Sequence, residues 1–434
     1  MFDSRPQMIF SIRSSGRLKL LVLILVVLAQ EVTSQASTFR VGAASASITP
    51  DQPCYLAGYG GAGLSVGVHD SLFVKAVIIS ESNHTAALVT LDCIGLLHTE
   101  LLAIRKKVSE FLRPEQFNPK NIILSSTHTH LGPDVVGLWG KHIFSSGVQS
   151  EYMDFLINRV AQTIVAAWNQ QVPARVCWST GSYGEGWVQN ISVPEELDRS
   201  VTSVQFADEL GNSIATLTNF ACHPTLIGAE RKLISADYVA GFYNCLDQEY
   251  GGVNLFLQGS IGGWVQPVGE DSFENADAKG QGLASEVIRI LKTSTAVTTA
   301  PVIFESRMFD MPVHSFGFKL LSTLGVLKRD IGRTVQTEVA WLRVGNIHFI
   351  THPGETSPYY GMETKKLFPL GDPVLVLGLA QDALGYLVRP EFFDEQQQIP
   401  HADYLTKVSV GKDGGPVMMR EIQRLVQQRF AERK

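Results

Sequence analysis

The chain has 434 residues, a formal net charge of −6 and 45% hydrophobic residues. That is ample apolar material for a large buried core and too much for a disordered chain. The acidic balance offers no dense Lys/Arg stripe to track phosphates, which excludes a nucleic-acid binder.

At the N-terminus, Arg13, Arg17 and Lys19 precede an unbroken apolar run from Leu20 to Ala29, and Ser34-Gln35-Ala36 follows with small side chains. A charged start, a short greasy middle and a small-residue exit describe a secretory signal over residues 1–36. The run is about half of the roughly 20 residues that cross a bilayer, so an uncleaved anchor is the alternative. Either reading places the chain outside the cytoplasm: secreted, periplasmic or on a cell surface.

Beyond that segment, Leu72 to Ile79 and Ala86 to Leu91 read as buried strands around a polar turn, Glu81 to His84. Helical spacing runs from Glu100 to Leu112, a strand from Asn121 to Ser126 and a helix from Glu151 to Trp168. Strands at Ser213 to Phe220 and Asn254 to Leu257 are followed by a helix from Gly282 to Lys292. The stretch from Ser315 to Thr334 has the least clear pattern and reads as a flap. Ala340 to Val344 and Ile347 to Thr351 form a hairpin about Gly345-Asn346, and a last helix begins at Val417. Strand and helix alternating in this way predict an α/β fold, a mixed sheet covered by helices. There is no internal repeat and no convincing linker, so residues 37–434 are expected to form one domain.

Three segments carry chemistry. The first is Thr127-His128-Thr129-His130-Leu131-Gly132-Pro133-Asp134, where a strand ends. Alternate residues of an extended chain point to one side, so both imidazoles could face one cation, or one could bind metal while the other meets substrate. The second is Asn219-Phe220-Ala221-Cys222-His223-Pro224-Thr225, again a histidine after a strand. The third is Thr351-His352-Pro353-Gly354-Glu355-Thr356, a carboxylate on a turn after the hairpin. Imidazole and carboxylate suit zinc, and a catalytic zinc keeps one position open for water or substrate. His128, His223 and Glu355 would make such a set, with His130 beside it. Each histidine is also readable as an ordinary polar strand end. The five cysteines have no CxxC spacing, so a zinc thiolate cluster is not expected, although export permits a disulfide. Two sequons, at Asn83 and Asn190, would carry glycans only in a eukaryotic secretory pathway.

At these residues the sequence resembles the neutral/alkaline non-lysosomal ceramidase family. The likeness runs in order through Val41-Gly42-Ala43-Ala44, Ser47-Ile48-Thr49-Pro50, Gly58-Tyr59, His69-Asp70-Ser71-Leu72, Leu91-Asp92 and the THTHxGP segment. It continues through NFACHPT, Leu233-Ile234-Ser235-Ala236-Asp237-Tyr238, PGE and Gly385-Tyr386-Leu387-Val388-Arg389-Pro390-Glu391-Phe392. The resemblance implies a zinc-dependent hydrolase of amide or ester bonds, with His128, His223, Glu355 and Tyr386 holding Zn2+. It places His130 beside the metal, against the substrate or the developing oxyanion. Tyr386 is equally readable as a half-buried aromatic.

One departure matters. The family's nucleophilic serine stands in a Gly-Asp-Val-Ser-Pro-Asn segment, and the matching stretch here is Gly263-Trp264-Val265-Gln266-Pro267-Val268. Glutamine cannot form an acyl-enzyme, and Ser260 is several residues off the motif. The reading is therefore zinc-activated water as nucleophile, with His130 and then Asp134 as candidate proton shuttles, and Gln266 as an oxyanion donor. Asp237 could orient a ligand histidine or cap a helix beginning at Tyr238. The family's C-terminal β-sandwich is not expected. The substrate is expected to be a small molecule or a lipid, with peripheral membrane contact compatible and no protein partner. The rival reading is a non-catalytic lipid- or glycan-binding protein that keeps the fold.

Overall fold

The computed structural model describes residues 39–431, with side chains as far as 427. The signal-sequence expectation lies outside the described residues.

Three mixed sheets organise the chain. The first holds β1 (Phe39–Ser47), β2 (Phe73–Glu81), β3 (His84–Leu91) and β4 (Ile122–Ser126). The second holds β5 (Arg175–Ser182), β6 (Ser200–Ala207), β7 (Ser213–Phe220) and β8 (Val253–Gln258). The third holds β9 (Val302–Pro312), β10 (Thr334–Val344), β11 (Ile347–Thr351) and β12 (Val374–Leu377). In each, three strands run antiparallel in succession and the fourth lies parallel to the third. A parallel return needs a crossover, and here it is a helix each time: His98–Phe111, Tyr238–Glu249 and Pro358–Lys365. A second, longer helix follows each fourth strand: Ser150–Asn169, Phe273–Leu291 and Gly414–Ala431. In the first two units the chain then adds a two-residue strand beside the first strand of its own sheet.

One architectural unit thus occurs three times, where the sequence predicts no repeat. Topology repeats while side chains do not, because each sheet needs only apolar residues of suitable volume on both faces.

Alternation along the strands explains how the units join. Val41, Val77, Ile79 and Leu88 of the first sheet share a core with Phe206, Leu217 and Leu255 of the second and with Leu342, Phe349 and Leu375 of the third. The intervening Val74, Ala76, Ile78 and Val89 face the other way and pack with the helices. Strands buried on both faces read as continuous apolar runs, which is why β2, β3 and β7 are visible in the sequence. The half-exposed β5 and β9, with burial alternating residue by residue, carry too little apolar signal to stand out.

The helix expected at Gly282 begins nine residues earlier, at Phe273. Ser272 caps it by accepting from the Asn275 amide at 3.2 Å. Its first turns are polar and small because they press on the helix Tyr238–Glu249: a Cβ on Gly280 would lie 2.0 Å from the Tyr238 carbonyl oxygen. The hairpin at Gly345-Asn346 stands as expected, Val344 pairing with Ile347. The flap contains the helix Phe316–Thr323. No helix among the described residues is long and apolar enough to cross a membrane, and all five cysteines are free thiols. The Asn190 side chain is buried and accepts from the amides of Ser192 and Val193, so of the two sequons only Asn83 is exposed.

Candidate metal centre and cavity

Each parallel strand pair ends at the same kind of edge, and the chemistry-bearing residues stand there. His128 follows β4, His223 follows β7 and Glu355 follows β11. The Gln258 amide, at the end of β8, ties the first two turns together by donating to the carbonyls of Thr127 and Cys222, both at 2.9 Å. Gly262 packs so closely on the Glu355–Thr356 strand that a Cβ would meet the Glu355 carbonyl oxygen at 2.5 Å.

His128 donates from Nδ1 to the Ile94 carbonyl at 2.5 Å, and His223 donates from Nδ1 to the Val265 carbonyl at 2.7 Å. A carbonyl oxygen only accepts, so Nδ1 carries the proton in each ring and a neutral Nε2 presents a lone pair. Both Nε2 atoms face one carboxylate: His128 lies 3.3 Å from Oε1 of Glu355 and His223 3.2 Å from Oε2. Four electron-pair donors therefore converge with no hydrogen between them, unless a positive charge occupies the middle. Burial works to raise the Glu355 pKa, but positive charge facing it, on a protonated His128 or His223 or on a cation in that place, holds the carboxyl well below its usual range. Tetrahedral ligands about 2.0–2.1 Å from zinc stand roughly 3.3 Å apart, so the donor set fits such an ion.

His130 completes a group of three histidines whose ligand atoms lie within 4.8 Å of one another. Its ring stands edge-on to His128 at 4.9 Å, and neither ring nitrogen has a hydrogen-bond partner. Burial, then the neighbouring His128 and His223, push its pKa well below the ordinary value. The pairing does not come from extended-chain alternation: β4 stops at Ser126 and His128 has a φ of +69°. Gly58 and Tyr59 form the back wall. A Cβ on Gly58 would lie 2.3 Å from the His130 ring, and the Tyr59 ring stacks edge-on to it at 4.9 Å.

Tyr386 pairs in register with Glu355 on a short parallel strand, and its hydroxyl lies near that carboxylate and Trp264. Burial and the Glu355 charge push the phenol well above its normal pKa. Trp264, with a φ of +58°, packs against His401 with ring centroids 4.0 Å apart and planes tilted by 56°.

Other expected residues stand apart from the cluster. The Asp134 carboxylate accepts from the amides of Val136, Gly137, Trp139 and Gly147, so both oxygens are consumed in shaping a loop. Asp237 caps its helix at Tyr238 and accepts from Ile227; backbone carbonyls, not Asp237, orient the ligand histidines. Gln266 follows the carbonyl that fixes His223 and is not among the residues lining the cavity. Ser260 accepts from Thr356 in a separate buried network with His352.

His128, His130, Glu355 and Tyr386 line one cavity. Its walls are otherwise almost wholly apolar, including Leu138, Trp139, Phe318, Leu327 and Val410. Arg329 also lines it, with its charge matched by a buried bond to Asp382. Carbonyl partners such as Ile94 and Val265 leave no trace in residue type, which is why sequence reasoning misses them. Tyr404, at the cavity wall, lies in no recognisable motif.

Comparison with known proteins follows this geometry. The family described as neutral/alkaline non-lysosomal ceramidase, N-terminal, matches residues 39–254. This part of the chain belongs to the neutral/alkaline non-lysosomal ceramidase family. Neutral ceramidase B of Dictyostelium discoideum is 28% identical over 225 residues, which is 47% of this chain and 31% of that protein. The match spans about a third of the length of the curated relatives. The crystal structure of neutral ceramidase from Pseudomonas aeruginosa superposes with a TM-score of 0.74 at 16% identity, covering 90% of this chain and 75% of that one. A second solved ceramidase, described as complexed with C2, gives a TM-score of 0.75 at 15% identity. These likenesses show a shared fold, and the mixed α/β architecture expected from the sequence is the one found.

Proposed function

We propose that the chain is an exported, zinc-dependent hydrolase of an amide or ester bond in a lipid, held by residues 37–434. The observation that carries this reading is the convergence of His128 Nε2, His223 Nε2 and both Glu355 oxygens on one point, beside an apolar cavity. Tyr386 is the fourth proposed ligand. A cation bound there would bring the pKa of its water towards about 7 and polarise a carbonyl oxygen.

The rest is done by the chain's own residues. The cavity holds an acyl chain and keeps water from it, so the scissile carbonyl comes to rest at the histidine end. His130, neutral and without a partner, takes the proton of the attacking water and returns it to the leaving amine or alkoxide. Gln266, where relatives carry serine, cannot be acylated, which favours direct attack by water. The same glutamine is the specific support for a second reading, a binder of lipids or glycans that has lost its chemistry.

The deciding experiment is metal content on the purified chain with hydrolysis of a fluorescent short-chain ceramide and a panel of amides and esters. About one zinc per chain and chelator-sensitive turnover, both lost in His128→Ala or His223→Ala, are expected. Full activity after chelation would sink the reading. A metal-free, inert chain that still binds lipid would establish the second.

A further inference from the structure

The two segments that roof the cavity are apolar on their outer faces as well. The helix Phe316–Thr323 turns Phe318 inward to line the cavity, while Phe316, Leu320 and Leu324, spaced four apart, point outward with 77%, 37% and 53% exposure. That spacing puts all three on one face. The neighbouring loop likewise sends Val136, Leu138 and Trp139 into the cavity and leaves Ile143 and Phe144 outside, 70% and 59% exposed. The two segments adjoin: Gly137, with a φ of +110°, lies so near Val326 that a Cβ would meet its carbonyl oxygen at 2.1 Å. Single exposed apolar residues need no explanation, but five on the adjoining outer faces of one cavity's roof mark an interaction surface.

Charge indicates what lies opposite. Lys141, Lys319, Lys328 and Arg333 flank the apolar tips, and Asp330 is the single carboxylate in these two segments. Apolar tips ringed by cations suit the headgroup layer of an anionic membrane, where side chains insert shallowly and basic residues meet lipid phosphates and carboxylates. A soluble protein partner would give no reason for the tips to sit on the roof of an apolar cavity.

We propose that the helix Phe316–Thr323 and the loop bearing Ile143 and Phe144 seat the chain on an anionic lipid bilayer with the cavity roof against it. An acyl-chain substrate would then pass from membrane to cavity without crossing water. That purpose rests on the lipid-hydrolase reading, whereas the test does not use hydrolysis.

The full chain is sedimented with phosphatidylcholine vesicles made with and without phosphatidylserine. Binding is expected to require phosphatidylserine and to weaken with salt. The pairs Phe316→Ser with Leu320→Ser, and Ile143→Ser with Phe144→Ser, should each lower partitioning about tenfold or more. Their melting temperatures and turnover of a soluble short-chain amide should stay unchanged. Absence of vesicle binding overturns the proposal, as does binding undiminished in both pairs. Self-association without vesicles that the same substitutions abolish overturns it too, assigning the surface to a second copy of the chain. Vesicle binding by a chain inert towards every amide and ester supports this surface while sinking the hydrolase reading.

Discussion

Gln266 and Asp237 show how a residue type gains meaning from its neighbours. Gln266 occupies the strand whose preceding carbonyl, that of Val265, accepts from Nδ1 of His223. Its primary amide can donate towards an oxyanion but cannot form an ester. Because Gln266 does not line the cavity, Gln266→Ala should leave metal content and turnover unchanged, and a clear loss of turnover would place its amide at the reacting carbonyl. Asp237 is buried with backbone donors and the Asp70 carboxylate about it, and burial pushes its pKa to about 7. Because the fold favours the protonated acid, its contribution is present below the unfolded value of about 3.9 and is lost as pH rises through about 7. Asp237→Asn keeps the acceptor for Tyr238 and cannot ionise. The melting temperature of that variant relative to the unmodified chain should climb between about pH 4 and about pH 7. A pH-independent difference would show that burial does not act on this carboxyl. The sequence reads the residue types of the site well, since His128, His130, His223 and Glu355 all arrive within one cluster. It misreads what Asp134 does, because four amide partners from one loop are visible only in space.

Among elements, the legible ones are those buried on both faces. β2, β3 and β7 announce themselves as runs of Val, Ile, Leu and Ala, whereas β9 spends its eleven residues half in solvent and reads as nothing in particular. The helix Phe273–Leu291 was legible only in its second half, since small residues at its start serve contact and not pattern. That contact is testable. Gly280→Ala places a methyl against the backbone of Tyr238 and Phe242, and overpacking of this kind typically costs about 1–3 kcal/mol. A lowered melting temperature is expected, with turnover per folded molecule retained. Gly58→Ala should lower turnover as well as stability, since a φ of +93° strains any side chain there. Its methyl would collide with the His130 ring, so turnover should drop at least about tenfold, the loss expected when a proton shuttle is displaced, with metal still bound. Equal loss of metal would place Gly58 in support of the ligands instead.

On the scale of the whole molecule, the threefold recurrence of strand, strand, strand, helix, strand, helix was hidden because volume and periodicity, not residue identity, specify it. The three copies contribute unequally: His128 and His130 come from the first, His223 from the second, Glu355 and Tyr386 from the third. No copy holds a usable set of ligands alone. A cation at their meeting point would stabilise the assembled chain by mass action, because the unfolded chain offers no such geometry. Chelation should therefore lower the melting temperature of the intact chain, and hydrogen exchange should quicken at the β4, β7 and β11 ends together. Change confined to one of the three would argue that the ion belongs to that unit.

The arrangement also sets a timetable. A polypeptide emerges from the ribosome amino end first, at about 5–20 residues per second. Both ligand histidines are made long before the glutamate, so a nascent chain has nowhere to keep the ion. An ion bound there would load only after the final third is folded, and would be taken from whichever compartment the finished protein occupies at that moment.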